Sequence, residues 1–233
     1  EKIKEEVPEK LRIAVLLSFI SGYINAFTYN NAGELFAGAQ TGNVIFMALH
    51  FAKGNLEKAV EFLIPIISFM IGQIFIYCFR NFFQRRGHKG YIHSSLLMLF
   101  IMIMLIILLP FFDYHFIVVT LAFFAAIQSD TFQRLRGFSY ATIMMTGNVK
   151  NAPRLLIEGL VQRDRELLVR GFLLFLIIFS FMLGVGMSTY FTQFVKKSAL
   201  VPLILPLLYI NYVLFKEEHS VIDVVKSKIR KIK

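Results

Sequence analysis

Thr41-Gly42-Asn43-Val44 occurs a second time as Thr146-Gly147-Asn148-Val149, 105 residues further along the chain. Downstream of each copy, Phe69-Met70-Ile71-Gly72 is matched by Phe181-Met182-Leu183-Gly184 at an offset of 112 residues. One short match is easily produced by chance, but two matches in the same order are not. The sequence therefore predicts a chain built from two related halves.

Composition defines the class of protein in which these repeats lie. Of 233 residues, 57% are hydrophobic and 17% are charged, and the mean hydropathy is +0.64. Soluble proteins are roughly half apolar and a quarter charged. Because the apolar residues form long runs, the sequence predicts helices that cross a bilayer. The run from Leu11 to Tyr29 lacks a small-residue cleavage pattern and is interpreted as a retained first span, not a signal peptide.

Six segments approach the roughly 20 apolar residues that a membrane crossing needs. They are 11–29, 59–79, 92–112, 114–130, 168–194 and 199–215. Two further apolar pieces, Thr41 to Ala52 and Ala141 to Val149, are too short to span alone and carry the repeated tetrapeptide. The fold class predicted is thus all-α and polytopic, with about six transmembrane helices and two re-entrant or broken half-helices.

Lysine and arginine counts favour six crossings, because cytoplasmic loops are enriched in both residues. With six spans and both termini inside, 21 of these residues are cytoplasmic and four are outside. With eight spans the division weakens to 17 and eight. The sequence predicts a multi-pass protein of the bacterial inner membrane with both termini cytoplasmic.

The predicted organisation has four parts. Residues 1–10 form a cytoplasmic tail, 11–112 the first repeat, 113–215 the second repeat, and 216–233 a basic tail with helical apolar spacing on the inner leaflet. The net charge of +10 lies in short loops between apolar spans, so it indicates orientation and contact with anionic lipid, and no nucleic-acid partner is expected.

With three spans in each half, the two repeats run in opposite directions. Inverted repeats with interrupted helices are common in transporters and channels, where the binding site lies near the midplane between repeats. The alternative is a duplication that only built a stable helical bundle.

A membrane helix that begins with Thr-Gly-Asn has useful chemistry at its start. The threonine hydroxyl can cap free backbone N–H groups, glycine allows close approach, and asparagine is both donor and acceptor. Two such helix starts, with their positive dipole ends, would converge on a place suited to an anion or a polar solute. The alternative is that these residues only cap helices and hold them together.

Further wall residues are predicted around these turns. An ionisable side chain near a span is costly, so Asp130 is either a proton-coupling residue or a partner of Arg134 or Arg136 in an interfacial ion pair. Gly72, Gly184 and Gly186 are expected to allow close helix packing. The predicted substrate-binding or permeation residues are Asn25, Gln40, Thr41, Gly42, Asn43, Gln128, Asp130, Thr146, Gly147 and Asn148.

The same positions resemble a known family. Gly22-Tyr23-Ile24-Asn25-Ala26, then Phe36 and the Thr41-Gly42-Asn43 turn, with Gln128 before the second turn, are similar to the bacterial YoaK family, which carries domain of unknown function 1275. The resemblance runs from about Leu11 to Phe215 and implies an inner-membrane protein presumed to be a transporter. Two positions depart from it: Asn25 stands where the family often has Asp, and Ser129-Asp130 replaces Asn-Ala.

The sequence contains no nucleophile elbow, nucleotide-binding loop or metalloprotease motif, so no enzyme activity is expected. The single Cys78 and five histidines form no metal-ligand spacing, and no cofactor is expected.

The function predicted is a small secondary transporter or channel-like facilitator for a small polar or anionic solute. Its partners would be the bilayer and that solute, with homo-oligomerisation left open. A non-transporting scaffold or accessory subunit is the main alternative, and a lipid-modifying enzyme lacks a paired acid and base.

Overall fold

The computed structural model of the chain describes residues 7–216, and the rest of the two predicted tails lies outside the described residues. A 3₁₀ turn, Val7–Glu9, precedes the first helix. Seven helices follow: α1 Leu11–Asn31, α2 Gln40–Ala52, α3 Leu56–Arg85, α4 Gly90–Leu108, α5 Tyr114–Thr131, α6 Met145–Gln162 and α7 Arg165–Val195. A 3₁₀ stretch, Lys196–Leu203, then leads into helix α8, residues 204–216.

Four segments among the described residues are long and apolar enough to cross a membrane: α1, α3, α4 and the run Arg165–Lys216. This confirms the prediction of a helical, membrane-type fold. Helix α5, the predicted fourth span, is not among them. It ends in the polar residues Gln128 to Thr131, and most of its length is buried against other helices.

Short polar caps start three of the helices. Asn55 accepts a hydrogen bond from the backbone N–H of Lys58 at the start of α3, and Asp113 accepts one from that of Phe116 at the start of α5. At α7, Asp164 accepts from two backbone N–H groups. These side chains satisfy N–H groups that have no partner inside the helix, so adjacent helices follow each other after very short turns.

The second short piece differs from the prediction. Instead of ending near Val149, α6 continues to Gln162, because polar residues after Val149 face out while Ala152 and Gly159 are buried against α7. Apolar run length therefore underestimated this amphipathic helix. Ahead of it, Arg134–Leu135 and Phe138–Ser139 pair as a two-residue antiparallel hairpin in a chain expected to be entirely helical.

The core is organised by two pairs of helices. Helix α1 packs along α7, and α5 packs along α3. At the first crossing, a Cβ on Gly22 would collide with the carbonyl oxygen of Phe181, and a Cβ on Gly184 with that of Phe19. At the second crossing, a Cβ on Gly72 would lie 2.6 Å from the Cβ of Ala126. Gly72 and Gly184 therefore allow close helix packing, as predicted. The same prediction was wrong for Gly186, because a Cβ added there would meet no described atom within 4 Å.

One hydrogen bond is repeated in both pairs. The hydroxyl of Ser180 on α7 donates to the carbonyl of Val15 on α1 at 2.7 Å. The hydroxyl of Ser68 on α3 donates to the carbonyl of Val119 on α5, also at 2.7 Å. The serines are 112 residues apart, the offset of the second sequence match, and the acceptors are 104 apart, one residue less than the offset of the first match.

Helices α1 and α5 lie side by side and run in opposite directions. Gln128, near the end of α5, donates to the carbonyl of Leu17 and the hydroxyl of Ser21. Beyond the end of α5, the N–H of Gly137 donates to Glu9, just before α1. Late positions of α5 thus meet early positions of α1, so the two helices are antiparallel.

Candidate functional site

Asn43 fixes the backbone that leads into α2. It is fully buried; its Oδ1 accepts from the N–H of Phe36 at 3.0 Å, and its Nδ2 donates to the Phe36 carbonyl at 2.8 Å. The Nδ2 also donates to Oε1 of Gln40, whose own Nε2 donates to the carbonyl of Ala37. The amide therefore satisfies a backbone position seven residues earlier that no helix or strand pairs.

Asn148 does the same for α6. Its Oδ1 accepts from the N–H of Ala141 at 3.2 Å and its Nδ2 donates to the Ala141 carbonyl at 2.7 Å, again seven residues earlier. The Nδ2 also approaches Sδ of Met145. The hydrogen-bonding groups of both asparagines are thus largely occupied by their own chain, which is the structural role that the sequence left as the alternative.

The threonines and second-position glycines lie away from these bonds. Thr41 and Thr146 are exposed, and neither N-cap position has a side-chain cap bond, so the prediction that the threonines cap the helices was wrong. The N-cap positions are Ala39 and Met144. Gly42 lies under the ring of Phe36, where a Cβ would come within 2.8 Å, whereas Gly147 has open space.

The two connections that lead into α2 and α6 meet at Gly38 and Ile143. A Cβ added at Gly38 would lie 2.5 Å from Cγ2 of Ile143 and 3.4 Å from the Cβ of Ala125. Ile143 is buried, with 2% exposure. The offset between the contacting positions is 105 residues, as between the two Thr-Gly-Asn sequences. We call this contact the junction.

Asn25 holds the junction from α1. Its Oδ1 accepts from the N–H groups of Gly38 and Ala39 at 2.9 and 3.0 Å, and its Nδ2 donates to the carbonyl of Ser21. The N–H of Ala37 donates to the hydroxyl of Thr28. The bend before α2 is therefore held by polar side chains of a buried helix.

These contacts belong to a polar stripe on α1 that sequence reasoning missed. Ser18, Ser21, Asn25 and Thr28 are all at most 3% exposed and recur every three or four residues, so they share one helix face. Within the described chain, the hydroxyl of Ser18 and Oε1 of nearby Gln128 are buried without a hydrogen-bond partner. The spacing of four polar residues within an apolar span was the available signal.

A cavity of about 450 Å³ adjoins the junction. We call it the aromatic cavity; its walls include Asn25, Tyr29, Phe36, Phe46, Phe181 and Thr189. At its edge, Asn30 of α1 donates to the hydroxyl of Thr189 on α7. The cavity therefore places the amide of Asn25 beside aromatic surface at the C-terminal half of α1.

A second, more polar pocket of about 210 Å³ lies at the C-terminal end of α5. We call it the arginine pocket; its walls include Glu9, Arg80, Asp130, Thr131, Gln133 and Arg134. Because α1 and α5 are antiparallel, the arginine pocket and the aromatic cavity lie toward opposite ends of this helix pair.

Asp130 forms an ion pair, but with a partner other than those expected. Nη1 of Arg80 on α3 lies 2.6 Å from Oδ2 of Asp130 and 2.8 Å from its carbonyl oxygen. Arg134 and Arg136 follow α5 in the hairpin, and the arginine that pairs with Asp130 comes from α3 instead. The pair links α3 to α5, a contact between elements that sequence proximity does not indicate.

The structure thus brings part of the predicted site together. Asn25, Gln40 and Asn43 lie around the connection into α2, Asn148 holds the one into α6, and Gln128 lies on the α1–α5 contact. Asp130 is apart from them, in the arginine pocket. In residues 7–216, no group of three or more His, Cys, Asp or Glu is placed to hold a metal ion.

A family model, described as a protein of unknown function (DUF1275), matches residues 13–213. The chain belongs to the DUF1275 family. The match includes α1 to α7, both Thr-Gly-Asn starts and the junction, so the site lies within the family's shared region. Comparison with curated proteins and with solved structures gave no match.

Proposed function

We propose that this DUF1275 protein is a small secondary transporter or channel-like facilitator for a small polar or anionic solute. The observation that carries the proposal is the junction: Gly38 and Ile143 touch next to the aromatic cavity, and the arginine pocket lies toward the other end of the α1–α5 pair. A closed contact beside a cavity is what an occluded pathway requires. The solute would pass the polar stripe of α1, and no enzymatic step is involved.

We further propose that the chain forms two inverted repeats of three spans, each with one short helix. Two observations support this: the Ser180–Val15 and Ser68–Val119 bonds correspond at offsets within one residue of those of the sequence matches, and α1 is antiparallel to α5. In inverted-repeat transporters the site lies between the repeats and near mid-depth. The junction is where the two repeats would meet.

The proposed location is the bacterial inner membrane with both termini cytoplasmic, as the lysine and arginine distribution favours. Cysteines introduced at Lys89 and Arg163, in a Cys78→Ser background, should react with a membrane-impermeant maleimide only from the cytoplasmic side. Periplasmic labelling at position 89 would overturn the six-span arrangement.

Transport is tested by flux in proteoliposomes. With glycerol, urea, formate and acetate as probes, Ile143→Ala should increase the rate of at least one solute, because it removes most of the side chain that closes the junction. Ile45→Ala, at an exposed position of α2, is the matched control and should leave the rate unchanged. Trans-stimulated exchange would identify a carrier, and non-saturating flux a channel. Equal rates for empty and protein-containing vesicles with every variant would refute the proposal.

A non-transporting scaffold is the second candidate, and a specific observation favours it. Asn43 and Asn148 are engaged with backbone groups of their own connections, as expected of residues that only hold a bundle together. A scaffold predicts that Ile143→Ala only lowers stability and leaves solute flux at the background rate.

A further inference from the structure

We propose that the arginine pocket binds a small oxyanion, a carboxylate or a phosphate group, through Arg80 and Thr131. This inference does not rest on transport, since binding would occur in a protein that moves no solute. It also gives Asp130 a role different from proton coupling: it is the internal counterion that an incoming anion competes with.

The guanidinium of Arg80 has an N–H donor that its pair with Asp130 does not use. Its Nη1 serves Asp130, yet its Nε is buried and has no acceptor within residues 7–216. A guanidinium offers five N–H donors in a planar fork that matches the two oxygens of a carboxylate or phosphate. Asp130, the carboxylate that pairs with Arg80, therefore leaves part of that fork unsatisfied.

Thr131 supplies the independent observation. The residue is only 8% exposed, lines the pocket, and its Oγ1 is buried with no hydrogen-bond partner among the described residues. An unpaired buried hydroxyl is costly, because it has lost its hydrogen bonds to water and gained none in exchange. An oxygen ligand in the pocket would accept from this hydroxyl and remove that cost.

The two carboxylates and two arginines of the pocket wall balance in formal charge, so the preference for an anion over a cation comes from which of their groups lack a partner. Glu9 already accepts the N–H of Gly137 at 2.7 Å, and Asp130 is paired with Arg80. Arg134 adds a second positive charge in the pocket wall. Both carboxylates thus have a partner, whereas Arg80 Nε, which only donates, and the Thr131 hydroxyl, which can donate, have none among residues 7–216.

The pocket has room for such a ligand. Its volume of about 210 Å³ far exceeds the roughly 15 Å³ that one water molecule needs. The oxyanion has two sources: a free ion, or the phosphate of an anionic lipid, since this end of α5 lies at the proposed cytoplasmic face.

The test measures binding to the purified full-length protein in detergent by isothermal titration calorimetry at constant ionic strength. The probes are inorganic phosphate and acetate against a chloride background. Arg80→Gln should weaken binding at least about tenfold, because it removes a charged donor. Thr131→Val, which keeps the shape and removes the hydroxyl, should weaken it about fivefold. Arg85→Gln, an exposed arginine on the same helix, is the matched control and should bind as the wild type does.

Asp130→Asn separates a ligand site from a structural ion pair. If Asp130 competes with the ligand for Arg80, its neutralisation should tighten anion binding severalfold. If Arg80 and Asp130 only hold α3 to α5, the substitution lowers stability without tightening binding, and the proposal fails. Thr131→Val gives an answer even where the charge variants do not fold.

Nanodiscs identify the source. Binding of phosphate or acetate in phosphatidylcholine discs indicates a free ion. If neither ion binds, but phosphatidylglycerol stabilises the wild type and Arg85→Gln and not Arg80→Gln, the site takes a lipid headgroup. Absence of binding by either source, or equal binding by Arg80→Gln and wild type, would overturn the proposal, whatever the flux assays show.

Discussion

The starts of α2 and α6 have the same asparagine hydrogen bonds but differ in whether a side chain covers the glycine of the motif. In both, a buried asparagine holds a backbone position seven residues earlier by an accepted and a donated hydrogen bond. In the first, the held residue is Phe36, whose ring covers Gly42; in the second it is Ala141, and Gly147 is uncovered. The comparison indicates that the buried asparagine is common to both starts, whereas the packing over the glycine differs between them.

The largest effect is expected when the shared part is removed. Asn43→Ala and Asn148→Ala each leave a backbone N–H and carbonyl without their partner, and Asn43 also loses Gln40. We expect Asn43→Ala to cost about 3 kcal/mol and Asn148→Ala somewhat less, since unsatisfied buried groups cost about 1–3 kcal/mol each. Denaturant titration in micelles measures this. Asn81→Ala, on α3, is the control, and equal stability of all three variants would show that the bonds are not needed.

The helix crossings extend the comparison to the α1–α7 and α3–α5 pairs. Gly22 faces the Phe181 carbonyl, whereas the matching position of the other half is Ala126, which already carries a Cβ. Gly22→Ala should therefore destabilise the fold by about 2 kcal/mol, within the range for overpacked cores. Gly186→Ala, in open space on α7, should not. A thermal shift that is the same for both would contradict the close α1–α7 contact.

The coverage of the two glycines predicts opposite responses to one substitution. Gly42→Ala pushes a methyl group against the Phe36 ring and should lower stability by about 1 kcal/mol. Gly147→Ala meets no atom and removes glycine from a helix, which should raise stability by up to about 1 kcal/mol. Melting temperatures in detergent provide the measurement. If Gly147→Ala is as harmful as Gly42→Ala, the open space above Gly147 is occupied by something else.

The smallest effect concerns the starts of α1 and α5. Lys10 precedes α1 without a side-chain cap bond, whereas Asp113 caps α5. The hydrogen bond from the backbone N–H of Phe116 is the main cause that holds the pKa of the exposed Asp113 carboxyl below its usual 3.8, and it outweighs the opposing effect of desolvation.

Because the folded pKa is lowered, this carboxylate stabilises the fold above the unfolded pKa, and that contribution disappears as the pH falls through the folded value. Asp113→Ala should therefore lower the melting temperature slightly at pH 7, and its difference from wild type should shrink below about pH 4. A difference that stays constant from pH 7 to pH 3 would show that charge plays no part in the cap.

The sequence predicted the helices and the importance of Thr-Gly-Asn because both depend on local pattern. Long apolar runs and a repeated tetrapeptide are visible in one dimension. The roles of the individual residues in the motif were harder to predict. Thr41 and Thr146 have the chemistry of caps, but each lies one residue inside its helix, and only the observed starts at Gln40 and Met145 reveal this.

Contacts between residues that lie far apart in the sequence could not be predicted from it. Arg80 and Asp130 are 50 residues apart, and nothing local indicates that α3 brings Arg80 to the end of α5. Nearby Arg134 and Arg136 were the obvious alternatives. The polar stripe on α1 was partly predictable. The spacing of its residues is visible in the sequence, but their burial against α5 and the connection into α2 is known only from the tertiary contacts.

The contact between Gly38 and Ile143 bears on how such a chain can arise. The two positions are 105 residues apart, so in the repeat arrangement proposed above each half meets its own equivalent there. An ancestor with identical halves would have placed two glycines face to face, leaving a gap, or two isoleucines, which would collide. A large residue can pack against a small one at this contact only after the two copies have diverged in sequence. Once they have, neither half can be replaced by a second copy of the other, and fusion into one chain becomes difficult to reverse.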